Sequence, residues 1–173
     1  MKIERVKTGY LEENCYIISQ NEKCLVVDPG DEFLKIDSLV SKYKCIGILI
    51  THRHFDHVGA LEQMKDKYDV PIYDRTCLEE KEYKIDDFVF KVLYTPGHSK
   101  DSVSFSFDQE KIMFVGDFVF KDTIGRTDLE GGDVQEMKES IAKLKMYPKN
   151  IILYPGHGET TTLEAELKNN IYF

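Results

Sequence analysis

Residues 49–61 read LITHRHFDHVGAL and place His52, His54, Asp56 and His57 within six positions, directly after an apolar run. The chain contains five histidines, and three stand here. The other two, His98 in TPGHS (95–99) and His157 in YPGHG (154–158), each follow a Pro-Gly pair. A single loop histidine is more often a surface or capping residue than a ligand, and Asp56 alone could cap a helix. All five histidines standing either in THRHFDH or directly after a Pro-Gly pair form a joint pattern that independent turn residues do not explain.

The pattern has a regular position in the predicted structure. Short β-branched and aromatic runs recur as IERVK, CYIIS, CLVVD, IGILI, PIYD, FVFKVLY, SVSFSF, KIMFVG and IILY, bounded by Asp, Gly, Pro and Asn. FVFKVLY and SVSFSF alternate as strands with one face on a core do. Helical periodicity appears in FLKIDSLVSKY (33–43), HVGALEQMKDKY (57–68) and VQEMKESIAKLKMY (134–147), with a last short helix in TLEAELKNN (162–170). Many strands with helices placed among the later ones predict an α/β sandwich of mixed strand direction in a single domain, residues 1–173. His52 follows IGILIT, His98 follows FVFKVLY, Asp117 follows KIMFVG and His157 follows IILY. Every candidate therefore lies just past the C-terminal end of a strand, where a rigid sheet positions groups that stay open to solvent.

Imidazole and carboxylate without thiolate suit zinc, iron, manganese or cobalt. His52 and His54 are two apart, so in extended chain they point to one side and can grip one ion. Asp56 and His57, at the start of a helix, are aimed away from that pair. With His98, Asp117 and His157 there are seven candidate ligands, too many for one tetrahedral ion and suited to two. Asp117 could bridge a metal pair about 3.5–4 Å apart.

Composition bounds the alternatives. An apolar fraction of 42% and a charged fraction of 31% are those of an ordinary globular protein. A net charge of −8 argues against nucleic acid as the main partner, which clustered Lys and Arg would recognise. The longest apolar run, Cys45 to Ile50, is too short to span a membrane, and MKIERVKTGYLEEN lacks the apolar segment of a signal peptide, so a cytoplasmic location is expected. The four cysteines (Cys15, Cys24, Cys45, Cys77) show no C-x-x-C pair and read as reduced, buried small hydrophobes.

Taken in order, THRHFDH, TPGHS, VGDFVF and YPGHG resemble the H-x-H-x-D-H series of the metallo-β-lactamase-fold hydrolases, over nearly the whole chain. GDFVFKDTIGRTDLEGGD is similar to the glyoxalase II-like (hydroxyacylglutathione hydrolase-like) branch. The resemblance implies an αββα sandwich with a dinuclear site at one edge. It assigns His52, His54 and His98 to a first divalent metal ion, and Asp56, His57 and His157 to a second. Asp117 would bridge the two, and Asp56 and Asp117 would be the catalytic carboxylates. Zinc is the expected metal, with iron or manganese as alternatives.

The implied activity is hydrolysis of a small-molecule acyl substrate, a thioester or related activated acyl compound, by a hydroxide shared between the ions. A thiolate, with a pKa near 8.5, leaves without a proton donor whereas an amine does not, which favours thioesters over amides. S-lactoylglutathione is not expected to be strongly preferred. GRTD stands where the glutathione-contacting tyrosine would be, and the chain ends soon after His157. The alternative is a persulfide dioxygenase, whose family also resembles GHS and GRTD, with one Fe(II) on His52, His98 and Asp117.

Of the remaining residues, Arg126 is expected to pair with Asp128 or Asp133 and fix its loop, the alternative being contact with a substrate carboxylate. Asp28 in VVDPG is expected to form a turn or to support a ligand from behind. Tyr10 and Leu11 are candidate walls of the cleft.

Overall fold

The computed structural model describes residues 1–173. The first half of the chain builds one sheet: β1 (Lys2–Thr8), β2 (Glu13–Gln20), β3 (Lys23–Val27), α1 (Phe33–Val40), β4 (Lys44–Leu49), α2 (Phe55–Val58), α3 (Leu61–Tyr68) and β5 (Ile72–Tyr73). Its strand order is β1-β2-β3-β4-β5. The second half adds β6 (Glu82–Ile85), β7 (Phe88–Tyr94), β8 (Val103–Phe107), β9 (Ile112–Gly116), β10 (Val119–Phe120), β11 (Thr123–Ile124), α4 (Val134–Leu144), β12 (Ile152–Pro155), β13 (Thr161–Thr162) and α5 (Leu163–Asn169). Six of these strands form a second sheet of order β13-β12-β9-β8-β7-β6, and β10 and β11 make a separate hairpin. Pairings β3–β4, β4–β5 and β9–β12 are parallel, while the other strand pairs are antiparallel, for example β1–β2 and β7–β8.

The apolar strands sort their side chains by the two-residue period. Tyr16, Ile18, Leu25, Val27 and Leu49 face Phe90, Phe105, Phe107 and Phe114 across the space between the sheets. The alternate residues of the first sheet, Cys15, Ile17, Cys24, Val26 and Ile48, pack outward with Ile36, Leu61 and Met64 of α1 and α3. Met113, Val115 and Leu153 of the second sheet likewise pack with Met137, Ile141 and Leu163 of α4 and α5. Three apolar layers between four structural layers define an αββα sandwich, as expected. Burial on both faces explains why CYII and CLVV read as continuous apolar runs. Each fully buried Phe, Leu or Ile contributes about 1.5–3 kcal/mol.

Some boundaries differ from the expectation. SVSFSF does not leave its serine face in water: Ser104 and Ser106 are fully buried, with hydroxyls bonded to Thr95 (3.0 Å) and Asp108 (2.5 Å). The helical pattern of residues 57–68 divides into α2 and α3. A Cβ at Gly59 would lie 2.2 Å from the Gly30 carbonyl oxygen, and the Ala60 N–H donates to Pro29 O (3.0 Å), so the Asp28–Gly30 loop docks into the break. The helix of residues 33–43 stops at Val40. Asp133, a candidate partner for Arg126, instead caps α4 by accepting from the N–H groups of Gln135 (2.7 Å) and Glu136 (2.9 Å). Cys15, Cys24 and Cys45 are buried thiols, whereas Cys77 is exposed.

Candidate metal centre

All seven candidate residues meet at one edge of the sandwich. His52, His54, Asp56 and His57 come from the segment that leaves β4, His98 from the loop after β7, Asp117 from the end of β9 and His157 from the end of β12. His54 has extended backbone (φ −64°, ψ 147°), which turns it to the same side as His52, as expected from their spacing. Its Nδ1 lies 3.1 Å from His52 Nε2 and 2.9 Å from His98 Nε2. A second group forms around Asp56, His57 and His157, with His157 Nε2 3.2 Å from Asp56 Oδ2. Asp117 stands between the groups. Its Oδ1 is 3.3 Å from His57 Nε2, and its Oδ2 is 3.5 Å from His98 Nε2 and 3.6 Å from His157 Nε2.

The outward nitrogens fix the tautomers. His98 Nδ1 lies 2.8 Å from Arg126 O and His157 Nδ1 lies 3.1 Å from Leu11 O; a carbonyl only accepts, so both nitrogens carry the proton. His57 Nδ1 donates to Asp28 Oδ2 at 3.0 Å. The Thr51 hydroxyl gives its proton to Asp28 Oδ2 (2.6 Å) and therefore accepts from His52 Nδ1 (3.1 Å). Four imidazoles thus turn Nε2 inward, toward each other and toward two carboxylates, with a bare lone pair wherever Nδ1 holds the only ring proton. Lone pairs facing lone pairs repel unless a cation lies among them. His57 Nε2 and Asp117 Oδ1 are buried without a hydrogen-bond partner, so the donor set fits metal ions. His52, His54 and His98 could hold one ion, and Asp56, His57 and His157 another, with Asp117 within reach of both.

Electrostatics agree with this reading. Burial holds His52 neutral, its pKa well below the ordinary imidazole value. Burial also opposes charge on His57, but Asp117 and Asp28 on either side outweigh it and raise its pKa well above the ordinary value. A positive charge between those carboxylates is favoured, whether a proton on Nε2 or a metal ion. Burial alone would raise Asp117, yet His57 beside it, with the charges of His157 and His98 beyond, holds it below the usual carboxylate range.

Local sequence serves this geometry. A Cβ at Gly156 would lie 2.3 Å from Asp117 Oδ1 and 2.5 Å from His57 Cε1, so YPGHG needs its first glycine for close approach. Asp28 supports from behind, as expected, and also accepts from the Thr51 N–H (2.7 Å). Arg126 and Asp128 form a bidentate pair (2.7 Å for both bonds) that fixes their loop, the expected arrangement, and its backbone carbonyl orients His98. Tyr10 and Leu11 line the mouth.

Sequence reasoning missed Glu13, Asn14 and Thr51. Glu13 is fully buried, its Oε2 accepting from Thr8 (2.8 Å) and its Oε1 3.8 Å from His57 Nδ1, and burial raises its pKa well above the carboxylate range. Asn14 Nδ2 donates to Pro155 O and Gly158 O (3.0 Å each), clamping the loop that carries His157. The available signal was two polar residues opening a strand whose next four positions are apolar.

A histidine-and-carboxylate cluster at the edge of an αββα sandwich defines a metallo-hydrolase type of protein. The chain belongs to the metallo-beta-lactamase superfamily, whose sequence profile matches residues 8–76 and 77–157. It is 32% identical to the hydroxyacylglutathione hydrolase GloC of Haemophilus influenzae, over 98% of this chain and 97% of that protein. Among solved structures it is similar to the BLEG-1 B3 metallo-beta-lactamase (TM-score 0.95, 29% identity, 99% of each chain covered). It is also similar to TTHA1623 in a di-iron-bound form (TM-score 0.88, 31% identity, 98% of this chain and 100% of that one).

Proposed function

We propose that this chain is a thioester hydrolase with a dinuclear metal site. The observation that carries the reading is the inward convergence of the Nε2 nitrogens around Asp117, in a chain of the same superfamily as GloC. His52, His54 and His98 would hold one divalent ion, Asp56, His57 and His157 the second, and Asp117 both; zinc is the expected metal, with iron or manganese as alternatives. Two such ions supply a water acidified to hydroxide near neutral pH and a Lewis acid for the acyl oxygen.

The chain's own residues do the rest. Asp28, Arg126 O and Leu11 O keep protons off the inward nitrogens by holding them on the outward ones. A cavity of about 490 Å³ opens over the donors, and apart from them it is lined by Tyr10, Leu11, Phe55, Arg126 and Leu129. None of these is a carboxylic acid or a histidine placed to protonate an amine, which favours a thiolate leaving group that departs unprotonated. The reaction consumes water and a thioester and releases a carboxylic acid and a thiol. We place it in the cytoplasm, a reading that the unbridged buried cysteines support; no helix is long and apolar enough to cross a membrane.

The test combines elemental analysis of the purified chain with kcat/KM for matched thioesters, amides and a β-lactam. The expected result is close to two ions per chain, thioesters cleaved fastest, and His57→Ala losing mainly one ion. A β-lactam cleaved at the thioester's rate would overturn the leaving-group argument. One iron with thiol-dependent oxygen uptake would overturn hydrolysis altogether and select persulfide oxidation.

A further inference from the structure

The cavity over the metal donors does not end at its own walls. A second cavity of about 270 Å³ adjoins it and shares Tyr10, Leu11, Phe55 and Asp56. Its floor is backbone at Gly30 and Gly59, where no side chain fits: a Cβ would lie 2.0 Å from Asp56 O at the first and 2.2 Å from Gly30 O at the second. Apart from Asp56 the shared wall is apolar and open to water, with Tyr10 82% and Phe55 64% exposed. Of the twelve large apolar side chains that the chain exposes, four (Tyr10, Leu11, Phe55 and Leu129) line this one mouth. A contiguous apolar patch that remains exposed in a folded chain marks a binding surface.

The charges around it are equally selective. No lysine lines either cavity, and the one arginine, Arg126, has its guanidinium engaged by Asp128. Asp31 lines the second cavity and is exposed. An anionic group entering it would meet a like charge and find no free cation.

We propose that the second cavity is a subsite for an uncharged apolar arm of the substrate, an aliphatic or aryl group attached to the thioester. The proposal rests on the hydrolase reading above and narrows it: an apolar neutral thioester is preferred to one with a charged arm. A volume near 270 Å³, against about 30 Å³ for a water in the liquid, accommodates a chain of several carbons.

Two series test it on the metal-loaded full chain. In the first, N-acetylcysteamine thioesters carry straight acyl chains of about two to eight carbons. In the second, the acyl group stays acetyl while an S-alkyl chain grows. In one series kcat/KM is expected to rise about fourfold per methylene before a plateau, the burial value of a CH2 group. An ω-carboxylate on that arm should lower kcat/KM at least about tenfold, and Asp31→Asn should recover part of the loss. Phe55→Ala and Leu11→Ser should flatten the slope while elemental analysis shows the same metal content. A readout independent of turnover is saturation-transfer NMR of octanamide, expected to bind the parent chain and to lose binding in Phe55→Ala. Flat slopes in both series together with no octanamide binding would overturn the subsite. Octanamide bound in a Phe55-dependent manner with no thioester hydrolysed would support the subsite and overturn the hydrolase reading instead.

Discussion

Replacing Asp28 by asparagine keeps the shape and removes the charge at the one residue that accepts from Thr51 N, Thr51 Oγ1 and His57 Nδ1. Hydrogen bonds to a charged group contribute about 1.5–3 kcal/mol, and neutral ones about 0.5–1.5 kcal/mol. Three bonds weakened by about 1 kcal/mol each, with partial compensation, correspond to a stability loss of about 2–3 kcal/mol. For a chain of this size that lowers Tm by about 4–12 °C. The effect on metal binding has a sharper cause. An asparagine amide that turns its NH2 toward His57 cannot accept the Nδ1 proton, so the imidazole shifts that proton to Nε2, the nitrogen aimed at Asp117. A protonated Nε2 is no ligand, and loss of such a supporting bond typically weakens metal binding 10–100-fold. His52 depends on Asp28 only through the Thr51 hydroxyl, so the ion near His57 should suffer more. The assay is titration of chelated protein with one metal, with stoichiometry by elemental analysis after dialysis and Tm by calorimetry. Two ions retained with unchanged affinity, or preferential loss of the ion near His52, would refute the tautomer argument.

Asp117→Ala is expected to reduce activity more than Arg126→Ala, because Asp117 reaches both donor groups whereas the Arg126 side chain engages Asp128; kcat with metal content measured on the same samples checks it. If Arg126→Ala abolishes turnover at unchanged metal content, the arginine does more than order its loop. Gly156→Ala should cost about 1–3 kcal/mol of stability by overpacking and displace Asp117 or His57, lowering metal retention even though the added group is one methyl. A normal metal content and Tm in that variant would count against the close approach.

The site was more legible than the frame around it. Histidine is scarce here, and each one stands in a segment that follows a strand, so position and chemistry pointed the same way. Asp28 and the Arg126–Asp128 pair were also readable, because turn and short-range ion-pair chemistry act over a few residues. What escaped depends on distant partners. Glu13 acquires meaning only when His57 arrives beside it, and the interruption between α2 and α3 arises from a carbonyl of Gly30, far back in the chain. The strands β10, β11 and β13 have two residues each, too few to show a period, and β6 (EYKI) alternates but carries little apolar content. In β8 the buried serines followed the alternation and hid the second covered face.

The donors divide between the sheets: the segment after β4 brings His52, His54, Asp56 and His57, while strands of the second sheet bring His98, Asp117 and His157. Neither half of the sequence carries a whole set of the donors proposed for either ion. The connection between the sheets runs through residues 74–81, where Asp74 and Leu78 are buried but Thr76 and Cys77 are exposed and lie outside any strand or helix. A nick there would leave two pieces whose reassembly draws on the apolar layer between the sheets and, on the dinuclear reading, on ions that each piece would hold only in part. Cut at that point, the molecule would, on the dinuclear reading proposed above, become a split reporter in which complementation reads out metal supply.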